Sequence, residues 1–159
     1  MNASPPRALR PQLGDFASII CTKAIVVGLE EALGERAAHV ALLNAGRLRG
    51  RKIAEQTVGR RTIQPTELTP LLNEAIGIEG TRLCIVDHIT EDGEAIRVSL
   101  SETLCSAGEP QGSPRALTFT MGAVLGVFEV VTGRKLRSQQ VESVLRGGAF
   151  DTIELTDRT

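Results

Sequence analysis

The chain reads as an α+β domain, a small antiparallel sheet covered by helices. Three observations carry that reading. Apolar residues recur at helical spacing through the first half of the chain. The period then changes to two over residues 81–100, on either side of an Asp92-Gly93 turn. A second helix-then-hairpin unit closes the chain from about residue 115. The 159 residues are enough for one domain with a real core, and no internal repeat divides them.

Residues 1–13, with three prolines and no periodicity, read as a flexible arm, 14–156 as a single domain, and 157–159 as a tail. From Asp15 to Leu33 the pattern is helical, with Phe16, Ile19, Ile20, Ala24 and Val27 among further apolar positions. Only Lys23, Glu30 and Glu31 make a polar stripe, so this helix must be covered on more than one side. It either threads a core or forms a subunit interface, and a homodimer through the first two helices is expected. Gly34 ends it, and Arg36 to Gln56 forms a second helix, apolar at Val40, Leu42 and Leu43 and basic at Arg47, Arg49, Arg51 and Lys52. Pro65 and Thr66-Glu67-Leu68 open a third helix that runs to Ile76.

Strands are expected over 81–89 and 95–100, joined by the turn 91–94. After a Gly-, Pro- and Ser-rich loop at 106–114 comes a very apolar helix over 115–132, stopped by Gly133. The last strands are 135–145 and 150–155, separated by Gly147-Gly148-Ala149.

Composition removes several function classes. A formal net charge of −1 gives no electrostatic case for nucleic acid or an anionic membrane surface. Four Phe with no Tyr and no Trp leave few rings on which bases could stack. Three cysteines, an odd number with no Cys-x-x-Cys and no signal peptide ahead of them, point to a reducing, cytoplasmic compartment. No apolar run reaches transmembrane length, since Met121 to Val131 is interrupted by Glu129 and two glycines.

Nucleotide chemistry is unsupported. There is no Gly-x-Gly-x-x-Gly after a strand, and Gly46-Arg-Leu-Arg-Gly50 lies inside a helix without a following Lys-Ser/Thr. For a metal, Cys84 and His88 stand four apart, which on a strand places both on one face; Cys105 and a carboxylate such as Glu102 could complete a set. Buried, inert cysteine is the commoner outcome. With only His39 and His88 available, no Cys–His or Ser–His arrangement is identifiable, although the same two are the obvious axial ligands for a flat tetrapyrrole. The basic run Arg47, Arg49, Arg51, Lys52, Arg60 and Arg61 suits ligand carboxylates or an acidic partner, or is simply a solvated face.

The glycines of the apolar helix are the most informative feature. Gly122 and Gly126, four apart, share a face and let something approach the backbone closely. Either another element packs there, or the notches border an elongated apolar cavity walled by Phe119, Met121, Leu125 and Phe128.

Phe119-Thr-Met-Gly-Ala-Val-Leu-Gly126, the Gly133-Arg-Lys turn and Gln140-Val-Glu-Ser-Val-Leu-Arg-Gly-Gly148 together resemble the 4-vinyl-reductase-type, or hydrocarbon-binding, domain. In that family a Tyr/Phe-x-x-Gly-x-x-x-Gly helix leads into a Glu-x-x-Cys-x-x-x-Gly strand, and a Cys-x-Phe strand closes the fold. The resemblance implies an α+β fold similar to TRAPP subunits and haem-nitric-oxide-binding domains. It implies binding of small hydrophobic molecules, aromatics in regulators and tetrapyrroles in chlorophyll synthesis. Cys105-Ser-Ala-Gly-Glu-Pro and Ser143-Val-Leu-Arg-Gly-Gly are similar to a cyanobacterial branch linked to photosystem II assembly. Glu142 and Gly148 keep the family pattern, while Leu145, Thr152 and Glu154 replace its two cysteines and closing Phe, which removes ligands from the family's zinc site.

The expectation is therefore a non-enzymatic, dimeric binder of a bilin or chlorophyll-like tetrapyrrole, cytoplasmic and peripheral at the thylakoid membrane, meeting photosystem subunits. Its ligand-binding set would be Phe119, Met121, Gly122, Leu125, Gly126 and Phe128, with His88 and Cys105. A ligand-free protein scaffold is the alternative, and an auxiliary vinyl reductase a third reading.

Overall fold

Two pairs of glycines decide how the helices of this protein meet. The computed structural model describes residues 18–59 and 63–158. The arm at 1–13, Asp15, Phe16, Arg60, Arg61 and the last tail residue lie outside the described residues. Helix α1 (Ile19–Leu33) starts at Ser18, whose Oγ accepts the Ile20 amide at 3.2 Å. Gly34, at φ 78°, is the single residue between α1 and α2 (Glu35–Thr57). A short 3-10 turn, Pro65–Glu67, leads into α3 (Leu68–Ile76), and the long apolar helix is α4 (Phe119–Thr132).

Four strands form one antiparallel sheet in the order β1-β2-β4-β3. They are β1 (Ile85–Asp92), β2 (Ala95–Ser101), β3 (Leu136–Glu142) and β4 (Asp151–Asp157). The α+β class is as the sequence indicates. Ile96, Val98 and Leu100 of β2 alternate with Arg97 and Ser99, and Ile153 and Leu155 of β4 with Thr152 and Glu154. The apolar set is fully buried and joins Val86, Leu136, Leu68, Leu72, Ile76, Val124 and Phe128 in one core. Period-two patterning thus sets one face of the sheet against the helices.

The tightest contact is between α2 and α4, through Gly46 and Gly50 on one helix and Gly122 and Gly126 on the other. A Cβ on Gly50 would drive into the Ala123 carbonyl and lie 2.9 Å from the Val127 nitrogen. One on Gly122 would strike the Leu43 carbonyl and lie 2.9 Å from the Arg47 nitrogen. Backbone therefore meets backbone, and every residue of α4 from Thr120 to Phe128 is buried. The notches face a helix rather than an open cavity.

Several element ends, and the cover of α1, differ from the sequence pattern. Residues 115–118 are not helical, because Arg115 is drawn sideways onto Glu30 (2.7 Å) and the Leu117 amide donates to Gln140 Oε1 (2.8 Å). β3 stops at Glu142 rather than 145, since the Ser143 hydroxyl accepts the Leu145 amide and opens a 3-10 turn. β1 begins at Ile85 rather than 81 because residues 77–84 fold back on α3. At β1 the outer edge is occupied by Asn73, whose side chain accepts the Val86 amide (2.9 Å) and donates to the Val86 carbonyl (2.8 Å). Finally, α1 is covered on one side alone. Val26 is its only buried residue, and Ile20 and Ile25 are 78% and 62% exposed.

Alanine at Gly50 or Gly122 separates α2 from α4 and is expected to cost on the order of 3 kcal/mol. Alanine at Gly28, where nothing lies within 4 Å of the new Cβ, is expected to stabilise α1 by roughly 0.5–1 kcal/mol. Thermal melts of the variants check both signs; an unchanged Gly122→Ala melt would contradict the close approach.

Candidate functional site

Of the residues expected to border a cavity, Met121, Leu125 and Phe128 are buried in the core and Gly122 and Gly126 are filled by α2. Phe119 alone of that set reaches a cleft. At the first turn of α4 it is half-buried, and with Leu83, Leu104 and Ile19 it lines a recess of about 210 Å³. Thr22, Arg49, Thr81 and Arg82 form the remaining wall.

The floor of this cleft is strapped. The Leu104 amide donates to the Leu83 carbonyl at 3.1 Å, holding the β2–α4 connection against the segment before β1. Beside each of these leucines the backbone bends through a left-handed residue, Arg82 at φ 55° and Glu102 at φ 50°. Non-glycine residues there cost about 1 kcal/mol or more, and such strain concentrates at ligand and switch regions.

The roof is α1, and ion pairs hold it down. Lys23 Nζ donates to the Cys105 carbonyl (2.5 Å) and pairs with Glu109 (2.9 Å). Arg115 bridges Glu109 (2.5 Å) and Glu30 (2.7 Å). The Lys23 hydrogen bond, with help from Ser113 and the Arg115 charge, outweighs burial and holds the Glu109 carboxyl below the usual carboxylate range. A second, more polar recess of about 430 Å³ opens beside this network, with the half-buried His39 on its wall.

Cys84 and His88 do not share a face. Asp87 is an extra residue in β1, because Val86 pairs with Leu100 and His88 with the next residue, Ser99. The bulge inverts the alternation, so Cys84 is buried while His88 is exposed and meets the Phe150 ring edge-on at 5.0 Å. The pairing of these two as metal ligands is therefore corrected. Burial, with the neighbouring Cys105, Asp87 and Asp151, pushes the Cys84 thiol up to about 12. The Cys105 sulfur is also buried and accepts the Thr118 amide at 3.4 Å.

Glu142 is occupied with its own loop. Its carboxylate accepts the Thr152 hydroxyl (2.7 Å) and the Ala149 amide (2.8 Å), and these bonds hold it below the ordinary carboxylate range. Gly148 permits this, since a Cβ there would press on the Glu142 side chain at 2.5 Å. Thr152 is thus the hydrogen-bond partner of the glutamate. Among the described residues no three His, Cys, Asp or Glu side chains are grouped to hold a metal ion.

Two features carry no signal in the sequence. Asp151 is fully buried and accepts from Thr103 (2.6 Å), Ser106 (2.7 Å), Gln140 (3.2 Å) and the Val144 amide (3.2 Å). These four neutral donors let it tie the floor of the cleft to the end of β3. The leucines at 83 and 104 meet only through tertiary structure. No local motif marks either feature.

No family profile matches the chain, and no curated protein matches it. Among solved structures it is similar to the phenol-responsive sensory domain of the transcription activator PoxR, determined with phenol. The TM-score is 0.68 at 15% identity, covering 89% of this chain and 75% of that one. A trafficking protein particle complex subunit 3 from Naegleria fowleri, covalently bound to palmitic acid, aligns at TM-score 0.49 and 11% identity, over 89% of this chain and 98% of that one. The first likeness establishes the fold. No helix among the described residues is long and apolar enough to cross a membrane.

Thiol labelling checks the burial of the cysteines. In the native protein the exposed Cys21 should react with a maleimide while Cys84 and Cys105 stay unmodified, and all three should react after unfolding. Fast native labelling at Cys84 would contradict its position in the core.

Proposed function

We propose that the chain is a non-enzymatic binding domain for a small hydrophobic molecule, seated between the first turn of α1 and the floor of Leu83, Leu104 and Phe119. The observation that supports this best is the cleft: an apolar floor, a few polar groups on the rim, and left-handed backbone in both connections that carry the floor leucines. The structural neighbour of the same fold was determined with phenol, a one-ring ligand that suits a recess of about 210 Å³.

A bilin or chlorophyll-like tetrapyrrole, the ligand class of the resembled family, is the larger version of this reading. The recess lies below the ~300–1,000 Å³ of pockets for larger organic ligands, so a tetrapyrrole requires α1 to swing away from the floor. A role in pigment handling or photosystem assembly at the thylakoid membrane rests on that displacement. His88 faces away from the core that buries Cys84, so these two do not form a nucleophile–base pair.

The scaffold reading is favoured by a different observation. Glycine notches filled by α2 and the outward-facing Ile20, Ile25, Val40 and Leu48 on α1 and α2 suit protein contact. We assign that face to a second copy of the chain, and the two readings are compatible when dimerisation covers the roof of the cleft.

Titration with phenols, fatty acids, bilins and chlorophyllides, read by melting temperature and by visible absorbance for the pigments, tests the ligand. A rise with at least one class is expected, and Phe119→Ala should weaken it about tenfold or more through lost apolar contact. No response to any class, in protein that is folded, sinks the binding reading.

Light scattering tests the dimer independently. The wild type is expected at twice the monomer mass and Ile20→Glu/Ile25→Glu as a monomer; a monomeric wild type overturns the assignment of that face.

A further inference from the structure

The helix contact that closes the glycine notches also assembles a cationic recess on the far side of α2, away from the apolar cleft. Arg47 and Arg51 stand one turn apart on α2, while Arg49 lies about 200° around the helix and faces the cleft instead. Gly126 brings α4 against the Arg47 carbonyl, and three residues on, Glu129 takes both ends of the Arg47 fork at 2.6 and 2.7 Å. Arg134 and Lys135 enter from the α4–β3 turn, and Arg158 from the end of β4. The five cations line a recess of about 440 Å³ with Glu129 as the one carboxylate in its wall.

The charges there are unbalanced. The Glu129 side chain is only 8% exposed, and Arg47 and Arg51 (3.5 Å) account for it. Burial pushes its carboxyl up, but the Arg47 bonds prevail and hold it below the usual range. Arg134 is held by Asp157 (2.8 Å) and the Glu94 carbonyl (2.7 Å). Among the described residues, the side chains of Lys135 and Arg158 have no ion pair or hydrogen bond. A chain with net charge −1 has thus gathered like charges from three separate segments into one concavity. Solvated cations repel one another and spread apart, whereas a bound anion draws them together.

We propose that this recess is an anion site for a phosphate group, with Lys135, Arg158 and Arg51 as the residues that hold it and Glu129 as the residue that positions Arg47. The site is independent of the apolar cleft. Its phosphate belongs either to a small soluble molecule or to an anionic lipid headgroup.

Calorimetric titration with inorganic pyrophosphate at low ionic strength, and co-sedimentation with phosphatidylcholine vesicles with and without phosphatidate, test it. Binding to at least one probe is expected, weakened about tenfold or more in Lys135→Ala/Arg158→Ala and unchanged in Arg97→Ala, whose guanidinium pairs with Glu154 on the open sheet face. Pyrophosphate binding assigns a soluble ligand; binding to phosphatidate vesicles alone assigns the headgroup. Among the described residues the Lys135 and Arg158 side chains make no hydrogen bond or ion pair, so the double variant should melt with the wild type and its loss is not a folding effect. Absence of binding to both probes, or binding equally strong in the double variant, overturns the site.

Discussion

The architecture depends on the backbone-to-backbone approach of α2 and α4. Four hydrogens in place of four side chains let carbonyl groups of each helix sit where a Cβ would otherwise be. Dispersion between closely packed backbones replaces side-chain interdigitation, and the register is fixed, because a slip of one residue would bring a side chain into each notch. With α2 on one side of α4 and the sheet core on the other, α4 becomes the buried axis of the domain. Its lone charge, Glu129, emerges only where the burial ends, at the place where α2 offers Arg47.

Much of the fold was legible because it rests on local periodicity and turn chemistry. The three N-terminal helices, the hairpin at Gly93, the stop at Gly133 and the closing hairpin all follow from patterns within about a dozen residues. The close approach at Gly122 and Gly126 was readable as well, but its partner was not. Gly46 and Gly50 carry the same spacing, yet nothing in a sequence says which two small-residue faces will meet. The one-residue bulge at Asp87 was equally invisible, and it was enough to invert the faces of Cys84 and His88 and undo a metal-ligand spacing.

The sites show the same division. Phe119 was identifiable from its motif, while the leucines beneath the cleft come from two connections about 20 residues apart and meet through a single backbone bond. The basic run on α2 looked like a solvated face because a linear reading mixes its two sides. In the fold, Arg49 belongs to one recess and Arg47 with Arg51 to another. The Glu142–Gly148 loop stood out in the sequence, and in the fold that pair has a simple local purpose. The glutamate closes its own turn, and the glycine leaves room for it.

The Asn73 side chain closes part of one border of the sheet. By presenting an acceptor and a donor to Val86, it imitates a neighbouring strand and plugs the outer flank of β1 at that residue. On the opposite flank, among the described residues, β3 pairs with β4 alone, and the Gln140 side chain donates to the Glu142 carbonyl at its far end (3.1 Å). One border of the ribbon is thus plugged from α3 at Val86 and the other is closed by β3's own side chain at Glu142. An extended peptide laid along either border would have to displace a side-chain amide before it could pair at those residues.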